Sequence, residues 1–265
     1  MPDQSFNDID AGRSINWGRA AADYDRYRPG PPESFYERLS AFGIGLPRQR
    51  ILDLGTGTGL LARKFASQRA VVAGIDYSDG QIELAKAAAE RESVEIDFRQ
   101  ASAEDIPFDD DAFDVVTANQ CWIYFDLAKT IPEVLRVLGP GGRLLVSHFS
   151  FMPRLDAIVR ASEGLVLDYN PDWSGADWDG VIPAEPGWSR QAFELVGLFV
   201  YEQQIPFTRE SWRGRMRALR GIAATLSEED VARFDSEHGT LLKRIAPADF
   251  NICHRIHAHL FRPRN

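Results

Sequence analysis

Three glycines, Gly55, Gly57 and Gly59, stand at alternate positions directly after an apolar run formed by Ile51, Leu52 and Leu54. The run has the composition of a strand buried on both faces. After the glycines, Leu60 to Phe65 reads as a helix with Leu61 and Phe65 on one side. Strand, glycine turn and helix together make an anion- and cofactor-binding unit. Glycine tolerates positive φ and leaves the backbone open where a Cβ would block a ligand, and a helix start offers free N–H groups and partial positive charge. A dinucleotide fingerprint has the spacing GxGxxG; here Leu60 occupies the third glycine's place and the pattern is GxGxG. A second apolar run, Ala70 to Ile75, ends in Asp76. A carboxylate about 20 residues beyond such a turn, at the carboxyl end of the neighbouring strand, is placed to accept hydrogen bonds from ribose hydroxyls.

The elements that must position these groups alternate along the chain. Residues 1–14 are expected to be poorly ordered. Ile15 to Tyr27 predicts a helix carrying Trp17, Tyr24 and Tyr27, broken by Pro29, Pro31 and Pro32. Glu33 to Phe42 predicts a second helix, either a lid over the crevice or a packed edge. Ser78 starts a helix, with Gln81 in a capping-box position and Ile82, Ala85 and Ala89 as its buried stripe. Val94 to Phe98 predicts a third strand, Ala112 to Ala118 a fourth, and Leu144 to Ser147 a fifth ending near His148. The loop 101–108 and the stretch 119–125 follow strands at their carboxyl ends. Leu127 to Leu138 has helical spacing and is stopped by Gly139-Pro140-Gly141-Gly142. A helix near 153–167 precedes an irregular stretch rich in Trp, Pro and Gly, read as a lid or substrate wall. Val196 to Phe207 predicts a sixth strand, helices follow from Thr208 and Ser227, and Phe250 to Phe261 predicts the last strand. Strands alternating with helices imply a parallel sheet covered on both faces, which binds ligands outside the carboxyl ends of its strands.

The whole chain narrows the function further. Its 265 residues suit one large α/β domain, and 44% hydrophobic with 26% charged residues is ordinary globular composition. A formal net charge of −9 argues against a broad nucleic-acid footprint, which needs clustered cations. Arg209, Arg213, Arg215, Arg217 and Arg220 lie close together and are read as a solvated helix face. Two distant cysteines, Cys121 and Cys253, form no disulfide framework, so a reducing cytoplasm is expected. No apolar run long enough to span a membrane is present, and the polar, mildly acidic start predicts no secretory leader.

Four stretches, Leu52–Gly59, Gly74–Ser78, Ala101–Val116 and Glu133–Ser147, give the chain its resemblance to the class I S-adenosylmethionine-dependent methyltransferases. The similarity is to the small-molecule branch that includes the ubiquinone/menaquinone-type and aconitate-type enzymes. The resemblance implies a Rossmann-like α/β fold: a seven-stranded, mostly parallel sheet with an antiparallel last strand, helices on both faces and a lid. It also implies lid helices over 1–45, a cofactor-binding core over 46–150, and a substrate-side segment over 151–265 that completes the sheet. S-adenosylmethionine would be the cofactor. Gly55, Thr56 and Gly57 would pass beneath its methionine part, Asp76 would hold the ribose, and Tyr77 would lie beside the adenine. Ser102, Ala103 and Glu104 would meet the adenine edge, and Asn119 and Gln120 would lie under the methionine moiety and methyl group. Tyr24 and Arg28 match the family's N-terminal lid, Arg28 facing the cofactor's carboxylate. Gly139 departs from the basic residue usual before Pro140, at a surface turn.

A sulfonium methyl is already electrophilic, so the protein need only hold an acceptor in line and exclude water. Trp17, Trp122, Tyr124, Trp173 and Trp178 are candidates to wall an apolar substrate pocket, against the alternative that most are core. His148 is the candidate to take a proton from an acceptor hydroxyl or amine, against a structural histidine. Cys121 lacks the adjacent proline of cytosine-methylating enzymes, and Gln120-Cys121 lacks the proline pair of amino-methylating ones, so Cys121 reads as packing. His257 and His259 share a strand face without a nearby carboxylate, and no metal is expected. The expected activity is methyl transfer to a small-molecule O, N or C acceptor, with no nucleic-acid or membrane partner. The rivals are a nicotinamide-dependent oxidoreductase and a non-catalytic nucleoside-binding module. Acceptor and oligomeric state are not encoded in any legible motif.

Overall fold

The computed structural model describes residues 9–11 and 15–264. Seven strands form one sheet: β1 (Arg50–Leu54), β2 (Val71–Asp76), β3 (Ile96–Gln100), β4 (Phe113–Asn119), β5 (Leu138–Phe151), β6 (Phe193–Thr208) and β7 (Asp249–Pro263). Their order is β3-β2-β1-β4-β5-β7-β6. β1 to β5 are parallel, and β7 runs antiparallel between β5 and β6. The chain therefore reverses once, at its last strand, as expected.

The helices are α1 (Trp17–Tyr27), α2 (Glu33–Ala41), α3 (Leu60–Ser67), α4 (Asp79–Glu92), α5 (Leu127–Val137), α6 (Ala157–Tyr169), α7 (Arg209–Arg217) and α8 (Glu228–Ile245). Alternation along each strand sends side chains to two apolar layers. Ile51, Phe65, Leu145, Phe149 and Trp212 belong to one; Leu52, Leu54, Val116, Leu144 and Trp122 belong to the other. α7 starts with a reciprocal capping box between Thr208 and Ser211, and the Ser227 side chain caps α8.

Several expectations are corrected. Within 1–14, Ile9 and Asp10 are buried, so the expected disorder fails there; the rest of that segment, other than Ala11, lies outside the described residues. Of the two readings open for α2, the packed one holds: it buries Phe35, Tyr36 and Leu39 in the core beside Phe65 and Phe199. Ser78 makes no side-chain cap, and its backbone N–H, which a capping box would give to Gln81, goes to Asp76 instead. β5 continues past Ser147 to Phe151, since β7 runs beside it and pairs His148 with His257 and Phe151 with His254. His148 is thus a mid-strand residue. The arginines of α7 and of the turn after it are not a solvated face: Arg215 is 4% exposed, and Arg213, Arg217 and Arg220 are engaged in partly buried ion pairs.

Candidate functional site

The turn after β1 is built as its glycines demand. Gly55, Gly57 and Gly59 all have positive φ, at +55°, +57° and +78°, a region that favours glycine. A Cβ on Gly55 would lie 2.8 Å from Cβ of Cys121, and one on Gly59 would lie 2.8 Å from the Phe98 ring. Those two are needed for close packing. Gly57 differs: a Cβ there would meet nothing nearer than Gln81 Oε1 at 3.9 Å, so its outer side is open.

Asp76 closes this turn from the neighbouring strand. Its Oδ2 accepts the Gly57 N–H at 2.9 Å, and its Oδ1 accepts the Ser78 N–H at 2.9 Å. Burial raises its pKa, and these amides, with that of Tyr77, oppose the rise. Each carboxylate oxygen keeps acceptor capacity beyond its one amide. Tyr77 is 66% exposed at the same strand end. The Gln100 side-chain amide donates to the Tyr77 carbonyl at 3.2 Å, and Ala101 N–H donates to the Asp76 carbonyl at 3.0 Å, which brings the 101–105 loop alongside. There Ala103 is buried, the Ser102 hydroxyl bonds Glu104, and Glu104 accepts the Asp126 N–H at 2.8 Å.

At the end of β4, the Ser147 hydroxyl donates to Asn119 Oδ1 at 3.1 Å. Gln120 has φ +66°, and its side-chain amide donates to the Phe149 carbonyl. Cys121 points inward, its thiol on the Leu54 carbonyl at 3.1 Å, and burial pushes its pKa well up, which makes it a packed, inert thiol. Above the turn, α1 packs on α4 and α7. The Gln81 side-chain amide donates to the Trp17 carbonyl at 3.4 Å, while Gln81 Oε1 is buried without a partner beside Gly57. Arg28, which caps α1, stacks over the Tyr24 ring at 4.7 Å.

The five aromatic candidates separate. Trp17 meets Tyr124 edge-on at 5.3 Å, and the Tyr124 hydroxyl accepts from Arg220 at 2.8 Å. Trp178 meets His148 edge-on at 5.5 Å. Trp122 and Trp173 are core: the first packs on Phe125 and Trp188, the second belongs to the larger apolar cluster. His148 also faces His257 at 5.8 Å, and burial lowers its pKa to about 4, helped by Arg28 and Arg215.

Asp53 is a site residue that sequence reasoning passed over. It is buried beneath the turn, accepting from Thr56 Oγ1 at 2.7 Å and Thr117 Oγ1 at 2.6 Å. Burial raises its pKa to about 6, against the pull of those two hydroxyls. The available signal was a carboxylate in the middle of an otherwise apolar buried strand.

A glycine turn, a strand-end carboxylate and an adjacent loop meet at the carboxyl edge of the parallel sheet, the place where open α/β sheets bind their ligands. Residues 52–146 match the family model described as a methyltransferase domain. The chain is 37% identical over 132 residues to an uncharacterized methyltransferase of Mycobacterium tuberculosis, covering 49% of this chain and 51% of that one. It is 42% identical over 109 residues to the demethylmenaquinone methyltransferase of Thermus thermophilus, covering 40% and 50%. The chain thus spans about half the length of the curated relatives it matches. A solved S-adenosylmethionine-dependent methyltransferase of Geobacter sulfurreducens, in complex with S-adenosyl-L-homocysteine, superposes with TM-score 0.51 at 18% identity, over 93% of this chain and 98% of that one, a likeness of fold. Residues 52–146 thus carry the sequence pattern of a methyltransferase domain, set in a fold shared with solved methyltransferases.

Proposed function

We propose that the protein transfers a methyl group from S-adenosylmethionine to a small-molecule acceptor at oxygen, nitrogen or carbon. The observation that carries this is Asp76, bonded to the Gly57 and Ser78 amides beside a turn whose outer side is open at Gly57. The fit to the cofactor rests on that open side, on the unpartnered Gln81 Oε1 next to it, and on the exposed ring of Tyr77. When bound, the cofactor supplies a methyl group that needs no further activation.

The chain's own residues then bind, orient and exclude water. Asp76 would hold the ribose hydroxyls and Tyr77 would lie along the adenine. Ser102, Ala103 and Glu104 would line the adenine edge. Gly55, Thr56 and Gly57 would run beneath the methionine portion, with the unpartnered Gln81 Oε1 beside Gly57 as an acceptor. Asn119 and Gln120 would flank the methyl group, while Tyr24 and Arg28 would close over the carboxylate end. Trp17, Tyr124 and Trp178 shield the acceptor, backed by Trp122 and Trp173. His148 is the proton acceptor in this reading; its low pKa keeps it neutral and able to accept at pH 7, while making it a weak base. Within residues 1–45 α1 contributes the cover while α2 packs on the sheet; 46–150 form the cofactor core and 151–265 the substrate side. The location is cytoplasmic, in keeping with two free cysteines; among the described residues no helix is long and apolar enough to cross a membrane. No nucleic-acid partner is invoked.

Calorimetry tests the reading. S-adenosylhomocysteine binds the protein and NAD does not. Asp76→Ala, which removes the ribose acceptor, weakens S-adenosylhomocysteine by about tenfold or more. Binding of NAD without S-adenosylhomocysteine, or an unchanged affinity in the variant, overturns the assignment.

A further inference from the structure

Arg215 stands apart from its neighbours. Arg213 is paired with Asp235, Arg217 with Asp23 and Asp235, and Arg220 with Asp10. Arg209 donates to the Ala246 carbonyl. Arg215 is buried more deeply than any of these, yet among the described residues it has no carboxylate partner, and its Nη1 is buried without a hydrogen-bond acceptor. The charged group that acts on it from α1 is another cation, Arg28, with Tyr24 beside it. A guanidinium carries five donors and stays charged. Burying it with a like charge for company is unfavourable unless something anionic completes the site.

Its place in the fold says what that is. The Arg215 guanidinium lies over the Phe151 ring, 5.2 Å from its centroid. Phe151 is two residues along β5 from Phe149, whose carbonyl is bonded by Gln120 at the methyl-transfer edge. Two strand residues span about 7 Å, roughly one compact organic molecule. His254, which pairs with Phe151 across the strands, adds a second buried atom without a partner, Nε2.

We propose that the methyl acceptor carries an anionic group, a carboxylate or a phosphate, which Arg215 binds through its free guanidinium face while the reactive atom of the acceptor lies toward Gln120. This names the acceptor class for the methyl-transfer reading above and rests on it. Arg28 remains with the cofactor's carboxylate, and Phe151 supports the guanidinium from beneath. A fork of parallel N–H donors suits a planar carboxylate or a phosphate edge better than a single ammonium would.

The test uses the full chain saturated with S-adenosylhomocysteine, titrated separately with benzoate and with inorganic phosphate. One of these anions binds, which distinguishes the carboxylate source from the phosphate source. Arg215→Met weakens that anion by about tenfold or more, while the affinity for S-adenosylhomocysteine changes by less than about twofold. If Arg215→Met does not fold, Arg215→Lys is read instead. It keeps the charge and loses the fork, and weakens the anion by about fivefold. The proposal is overturned if neither anion binds the wild-type complex. It is also overturned if Arg215→Met weakens S-adenosylhomocysteine tenfold, which would assign Arg215 to the cofactor, or if Arg215→Lys leaves anion binding unchanged. A wild-type protein that fails to bind S-adenosylhomocysteine overturns the methyl-transfer reading instead, and the anion titration of the unliganded protein still decides the role of Arg215.

Discussion

Gly57 and Gly59 share a left-handed backbone and differ in what a methyl group would meet, so alanine separates their roles. At Gly59 the added Cβ would stand 2.8 Å from the Phe98 ring as well as at φ +78°; crowding and backbone strain together cost about 2–4 kcal/mol of stability. At Gly57 the strain is about 1–2 kcal/mol, with no packed neighbour to displace, but the methyl enters the open side of the turn. Gly57→Ala is therefore expected to lose about tenfold or more in S-adenosylhomocysteine affinity at modest cost in stability, and Gly59→Ala to lose mainly stability. Urea unfolding with calorimetry on both variants checks this, and an unimpaired affinity in Gly57→Ala would refute the ligand path. This turn and Asp76 were legible because their chemistry depends on local spacing. Arg215 was not, since the α7 arginines look alike in sequence and burial is imposed from afar by Phe151 and α1.

Elements that cover the site are tied down by ion pairs. α1 is tied to α7 through Asp23 and Arg217 at 2.8 Å, and its Asp25 reaches Arg91 of α4 at 3.4 Å. A second tie joins four segments that are distant in sequence. Asp10, 0% exposed, pairs with Arg220 at 2.6 Å and accepts the Ser174 N–H and hydroxyl, while Arg220 also reaches the Tyr124 hydroxyl. Removing one member of a buried pair strands the other, a loss of about 3–5 kcal/mol. Arg220→Met is expected to destabilise by that order in urea melts; a loss below about 1 kcal/mol would place the network in solvent. Little of this was legible. The parallel strands announced themselves as apolar runs, and α7 and α8 by Thr208 and Ser227. The extension of β5 to Phe151 depends on β7, more than a hundred residues away, and the burial of Asp10 depends on a cation equally remote.

Across the whole molecule, buried titratable groups pull in opposite directions as pH changes. All five histidines have pKa values lowered by burial: His148 and His238 to about 4, His254 and His257 to about 3, and His259 in the same direction. An unfolded histidine takes up its proton near pH 6.5. The stability these residues contribute is therefore complete above that pH and is lost as pH falls toward their folded values. Asp53 and Glu163 do the reverse. Burial raises them to about 6 and about 7, so their contribution is complete below their unfolded values of 3.8 and 4.5 and is lost as pH rises through the folded ones. Between pH 6.5 and 4.5 the five histidines outnumber these acids even with Asp76, which burial also raises, and unfolding free energy is expected to fall on acidification. His238→Gln, on α8 and bonded among the described residues to Ser162 at 2.9 Å, removes one histidine's share and flattens that fall by up to about 1.4 kcal/mol per pH unit. Asp53→Asn removes a counterweight, so its fall is steeper than that of the wild type below pH 6. Urea unfolding of the three proteins at several pH values across this window reads both slopes. If His238→Gln and wild type lose stability in parallel, His238 is titrating in the folded protein as it does in the unfolded chain.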